Sequence, residues 1–153
     1  HVIVDELGAL DPLEGYGWSL DQPRRALDTR ECTDTWCDDR PEPRTVIELD
    51  LGVESPGAAI AITVTEPAAD GFITVGPCES FEGVEDVATS NVNHLAGQTV
   101  TNLALVDLDE GNICVYTLAA AHVIVDVQAE LTAEQDAGLD PTEPTRVHDS
   151  RDA

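Results

Sequence analysis

The chain has 153 residues, enough for one domain or for one domain with parts of its neighbours. Its formal net charge is −24, all seven cations are Arg, and no Lys or Arg lies between Thr45 and Thr145. Such a field excludes nucleic acid as a partner, because phosphate binding needs a basic footprint, and it repels anionic membrane surfaces while favouring divalent cations and solubility in concentrated salt. No run approaches the ~18 apolar residues of a membrane span. Aromatic residues are few (Tyr16, Trp18, Trp36, Phe72, Phe81, Tyr116), so the core must be built from Val, Ile, Leu and Ala.

In chain order, the first element is the strand-like run His1-Val2-Ile3-Val4-Asp5, with no Met or charged-then-apolar leader before it. A mature processed chain, or a window of a longer one, is therefore expected. Further strands are predicted over Thr45–Leu51, Ala58–Thr65, Gly71–Val75, Thr99–Leu108, Ile113–Leu118 and His122–Val127, where β-branched residues dominate and Gly, Pro, Asn or Asp bound each run. Ile60, Ile62 and Val64 alternate with Ala61, Thr63 and Thr65, the period of a half-buried strand. Turns are expected at Glu66–Gly71 and Asp109–Asn112. Ala129–Ala137 has the composition of a short helix, and no other segment carries a helical stripe. The fold class expected is all-β, an antiparallel β-sandwich or jelly-roll-like module.

The two ends of the chain repeat each other. His1–Asp5 recurs as His122–Asp126, and the same offset of 121 pairs Leu10 with Leu131, Gly17 with Gly138 and Pro23 with Pro144. It also pairs Arg25 with Arg146, Asp28 with Asp149 and Arg30 with Arg151. Eleven identities over 32 gapless pairs, five of them consecutive, make chance a poor explanation. A period of this length suits a whole domain in an array rather than a solenoid turn. Residues 1–19 then read as the end of a preceding repeat, or as an exchanged terminal strand with a linker. Residues 20–127 read as the repeat body, and residues 128–153 as a linker with the start of the next repeat.

Several motifs in order carry a resemblance. They are Leu27-Asp28-Thr29-Arg30, the run Ile62–Val75 with Gly76-Pro77-Cys78, and Ser90-Asn91-Val92-Asn93 with Gly97-Gln98-Thr99-Val100 and Asn102-Leu103. Cys114-Val115-Tyr116 and His122–Val127 complete the set. Together, over roughly Pro23 to Val127, they resemble the β-rich tandem repeats with an LDTR box of secreted actinobacterial proteins. The resemblance implies a secreted or cell-surface, modular domain and supplies no catalytic residues. The Cys32–Cys37 loop and the acidic excess depart from its pattern.

Four cysteines allow three pairings. Cys32 with Cys37 is local, and the resemblance places Cys78 and Cys114 in facing positions. Those two disulfides are expected rather than a zinc site of four thiolates, for which two CxxC-like knuckles are lacking. Arg25, Asp28 and Arg30 form either a structural ion-pair network or an anion-recognition site, and their copies at Arg146, Asp149 and Arg151 place the same chemistry at a junction. With His1, Val2, Ile3, Val4 and Asp5 they are the candidate assembly residues. Asp107, Asp109 and Asn112, with Gly111, begin a calcium-loop pattern but lack its distal Glu, and a hairpin turn explains the same residues. Calcium is the one cofactor considered, and none is required. The cluster Glu82, Glu85 and Asp86 reads as a solvated loop. Asn91, Asn93, Asn102 and Trp36 are candidate sugar contacts.

No GxSxG, HExxH, P-loop or GxGxxG occurs, so no enzymatic activity is expected. The function expected is that of a structural repeat module of an extracellular fibre, stalk or filament, whose partners are copies of itself or adjacent repeats. The alternative is a carbohydrate- or cell-wall-binding module whose partner is a surface glycan.

Overall fold

The computed structural model describes residues 3–11, 17–19, 22–31, 40–81, 87, 89–132 and 138–149. The chain divides into two units: the chain ends, His1–Ser19 with Leu131–Ala153, and the body, Leu20–Glu130. The ends hold β1 (Ile3–Asp11), β2 (Gly17–Ser19) and β11 (Gly138–Asp149). The body holds β3 (Arg24–Asp28), β4 (Thr45–Asp50), β5 (Gly57–Thr65), β6 (Gly71–Gly76), β7 (Val92–His94), β8 (Val100–Asp107), β9 (Asn112–Thr117) and most of β10 (His122–Thr132).

In the body, one antiparallel sheet runs β3-β10-β5-β8 and the other β4-β9-β6-β7. The ladders are nested: β6 pairs with β7, β5 with β8, β4 with β9 and β3 with β10. A long hairpin rolled up so that successive ladders alternate between two sheets is the jelly-roll order.

Period-2 alternation fills the space between the sheets. Ile60, Ile62 and Val64 of β5, Val123, Val125 and Val127 of β10, and Leu27 of β3 are buried from one side. Ile47 and Leu49 of β4, Ile113 and Val115 of β9 and Ile73 of β6 meet them from the other. This cluster contains no aromatic residue, as the composition requires. Each such side chain contributes about 1.5–3 kcal/mol on burial, so the core depends on number rather than size. Three of the six aromatics, Phe72, Phe81 and Tyr116, form a second cluster with Cys78 and Cys114.

Strands β2, β3, β7 and β11 were not read from the sequence. The helix expected over Ala129–Ala137 does not form over its described part, because Ala129–Thr132 continues β10. Val127, Ala129 and Leu131 are buried while Asp126, Gln128 and Glu130 are half-buried, the alternation of a strand.

Candidate assembly site

β3 enters the sheet through the LDTR box. Asp28 is 1 % exposed and its carboxylate takes both neighbouring arginines. Arg30 donates from Nε to Oδ1 at 2.8 Å, from Nη2 to Oδ2 at 2.6 Å and from its backbone N–H to Oδ1 at 3.1 Å. Arg25 donates from Nη1 to Asp28 Oδ2 at 2.7 Å. Its Nε and Nη2 reach across the ladder to Asp126 of β10, at 2.6 and 3.3 Å. Hydrogen bonds from Arg30, with the charge of both arginines, hold the Asp28 carboxyl at about 2 against the opposing effect of its burial. The Asp126 carboxylate in turn raises the pKa of Arg25.

Thr29, fully buried, completes the box. Its Oγ1 accepts from the Val123 N–H at 2.9 Å and lies 3.1 Å from His122 Nδ1, while its own N–H donates to the Val123 carbonyl at 3.1 Å. The box thus ties the first strand of the body to its last. The geometry is that of an ion-pair network satisfied within the protein.

The ends of the chain carry the same ladder. In the body, Ile124 pairs with Asp28, Val125 with Leu27, Asp126 with Arg25 and Val127 with Arg24, with a register shift between Val125 and Asp126. In the terminal ribbon, Ile3 pairs with Asp149, Val4 with His148, Asp5 with Arg146 and Glu6 with Thr145, with a register shift between Val4 and Asp5. Subtracting 121 from the β10 positions and adding it to the β3 positions converts the first ladder into these four pairs of the second, shift included; the ribbon then shifts again between Glu6 and Gly8 and runs on to Asp11 opposite Gly138. Asp5 therefore stands opposite Arg146 as Asp126 stands opposite Arg25. The repeat duplicates the two strands that close the sandwich. Of the expected assembly residues, His1, Val2 and Arg151 lie outside the described residues.

Other candidates are distributed elsewhere. Cys78 and Cys114 form a disulfide that links the 3-10 turn Cys78–Phe81 to β9. Cys32, Cys37 and Trp36 lie outside the described residues, as do Glu82, Glu85 and Asp86. Asp107 ends β8, and Asp109–Asn112 is a tight hairpin turn in which Asp109 and Asn112 exchange backbone hydrogen bonds of 3.2 and 2.8 Å. Glu110 and Gly111 take the left-handed φ values of 48° and 88° that such a turn needs. A Cβ on Gly111 would meet the Val53 carbonyl oxygen at 2.6 Å, so glycine is required there twice over. The Asn112 carboxamide donates to the Asp109 carbonyl at 3.3 Å. Among the described residues, no group of three or more His, Cys, Asp or Glu side chains is placed to hold a metal ion.

The asparagines serve the backbone. Asn91 Oδ1 accepts from the Val75 N–H at 2.8 Å, and Asn102 Nδ2 donates to the Asn91 carbonyl at 2.7 Å. Asn93 is exposed on β7. An open depression of about 590 Å³ beside the hairpin turn is lined by Glu54, Ser55 and Glu110 with Val53, Pro56 and Leu108. The Ser55 hydroxyl there already donates to the Gly57 carbonyl at 2.6 Å. Sequence reading missed His94, which is buried against Gly71 with neither ring nitrogen partnered among the described residues. Burial lowers its pKa, with Asp70 opposing. It also missed Leu103 and Leu105, exposed on the edge strand β8.

No family model matches the chain, and no curated protein or solved structure matches it. What defines the class is the all-β sandwich with its one described disulfide.

Proposed function

We propose that the chain is a structural module of an extracellular assembly, joined head to tail with copies of itself or with adjacent repeats. One observation carries this reading: the 121-residue recurrence falls on β10 and β3, the strands that close the body, and on the residues that lock them. A duplicated closing ladder serves a body that has neighbours before and after it. The Arg–Asp box favours the same reading, because its charges are satisfied by one another rather than held open for an anion. The Cys78–Cys114 disulfide and the acidic field suit a secreted or surface location, oxidising and saline. The commitment of Asn91 and Asn102 to backbone groups weighs for a scaffold over a glycan-binding module.

Electron microscopy of the purified chain, with light scattering over a range of concentrations, tests it. Particle mass is expected to grow with concentration towards linear oligomers. A species that stays monomeric at every concentration, with no filament seen, overturns the reading for separate subunits.

A further inference from the structure

We propose that the β1–β11 ribbon is an exchangeable joint, in which β1 of one chain pairs with β11 of a second copy. This rests on the head-to-tail reading and names its contact. Three observations carry it.

Over its first four pairs, Ile3 to Glu6, the ribbon reproduces the register of a ladder the body already uses, down to the shift between Val4 and Asp5, and after a second shift it continues from Gly8 to Asp11. Its pairing is therefore the specific one for these sequences and not an accident of two neighbouring strands. Second, its strands flank the body in sequence, β1 before it and β11 after it, so the same backbone bonds form whether the partner strand belongs to the same chain or to another. Exchange of identical elements carries little enthalpic cost for that reason. Third, among the described residues no third strand joins the ribbon, whereas its counterpart β10 has β5 along its other edge. A two-stranded ribbon is marginal in water, so it opens readily, and each opened strand exposes backbone donors and acceptors that only the matching strand satisfies in register. Whether the ribbon closes within one chain or between chains is then decided by protein concentration against the effective concentration of the linked ends. The contact is heterologous, since head meets tail, and it propagates unless the geometry closes a ring.

The test uses Ala9 and Asp140, which are register partners in the ribbon. A chain of residues 1–153 carrying A9C and a second carrying D140C are unfolded and refolded together, dilute and concentrated, then treated with a short bismaleimide and read by mass. A double variant, A9C with D140C in one chain, is treated in parallel, and each single variant alone sets the background. The double variant is expected to cross-link within one chain when dilute. The mixed single variants are expected to yield a heterodimer that rises with concentration by at least several-fold over either variant alone. Intrachain cross-linking of the double variant without heterodimer from the mixture overturns the exchange, as does a double variant that does not cross-link. The outcomes separate from those of the broader reading. Filaments without the heterodimer leave head-to-tail assembly standing and this joint wrong. Heterodimers that never extend beyond closed pairs leave the joint standing and the filament wrong.

Discussion

At Asp28 two half-exposed guanidinium groups converge on a carboxylate that the sheet has covered. Replacing it by Asn keeps the shape and removes the charge. Because Arg25 retains Asp126 and Arg30 can turn to water, D28N is expected to cost about 1–3 kcal/mol in urea unfolding rather than the larger loss that follows a stranded buried charge. The acid limb reports the same residue. With its folded pKa at about 2 and its ordinary value at 3.8, Asp28 contributes fully above 3.8. As pH falls from there the unfolded chain takes up the proton first, and about 2 kcal/mol is lost by the time the folded carboxyl titrates. D28N should flatten that stretch of a stability–pH curve. His94 acts at milder pH. Its pKa is lowered by burial, so the unfolded state protonates first and stability falls as pH drops below about 6.5, the ordinary histidine value. His94→Leu is expected to remove that slope between pH 7 and 5, read as melting temperature against pH. An H94L protein with the parent slope would show that the acid sensitivity arises elsewhere.

Among the elements, the disulfide holds a region that the aliphatic core does not reach. Cys78 and Cys114 are 36 residues apart in sequence, and their bond fixes the short turn over the outer face of β9 where Tyr116 and Phe81 stack. Replacing both by Ser is expected to cost about 2–5 kcal/mol, checked by the shift in denaturation midpoint. A change below about 1 kcal/mol would mean that the aromatic cluster holds the turn unaided. The same elements show what was legible. Strands β4, β5, β6, β8 and β9 fall within about two residues of where β-branched runs and turn residues put them, because each has one face on the core. β3 opens with Arg24-Arg25, and its hold on the sheet comes from side-chain pairing that composition does not display. β11 contains Pro141 and Pro144, which argue against a strand unless it is an edge strand, as it is here. β2 and β7 have three residues each, too few for any period. Over Ala129–Thr132 good helix formers gave way to tertiary context, since extending β10 buries Ala129 and Leu131.

For the whole molecule the net charge of −24 is the dominant fact. From Thr45 to Thr145 no cation offsets the carboxylates, and they repel one another across the sandwich. The melting temperature is therefore expected to rise with NaCl as the Debye length shrinks from about 10 Å at 0.1 M to about 3 Å at 1 M. A melting temperature that falls over that range would refute the repulsion. The candidate site was partly legible at this scale. The repeat is visible as residue identities, and it singles out Arg25, Asp28 and Arg30 from the sequence alone. That the duplicated segments pair with each other was not visible, because identity between two strands says which are alike and not which are neighbours.

One arrangement has a mechanical side. Within the body, β3 and β10 are the first and last strands, and they lie side by side and antiparallel. The chain therefore comes in at Arg24 and leaves past Val127 at one end of a single ladder. Tension carried along the polypeptide peels these strands apart from that end, so their backbone bonds yield in succession rather than together in shear. The Arg25–Asp126 pair at 2.6 Å and the Arg24–Glu130 pair at 3.7 Å sit at the open end of this ladder. Further in, the Cys78–Cys114 bond keeps the stretch it encloses from paying out. Under load the body would therefore yield first along this one ladder, pair by pair, and then come up against a covalent stop.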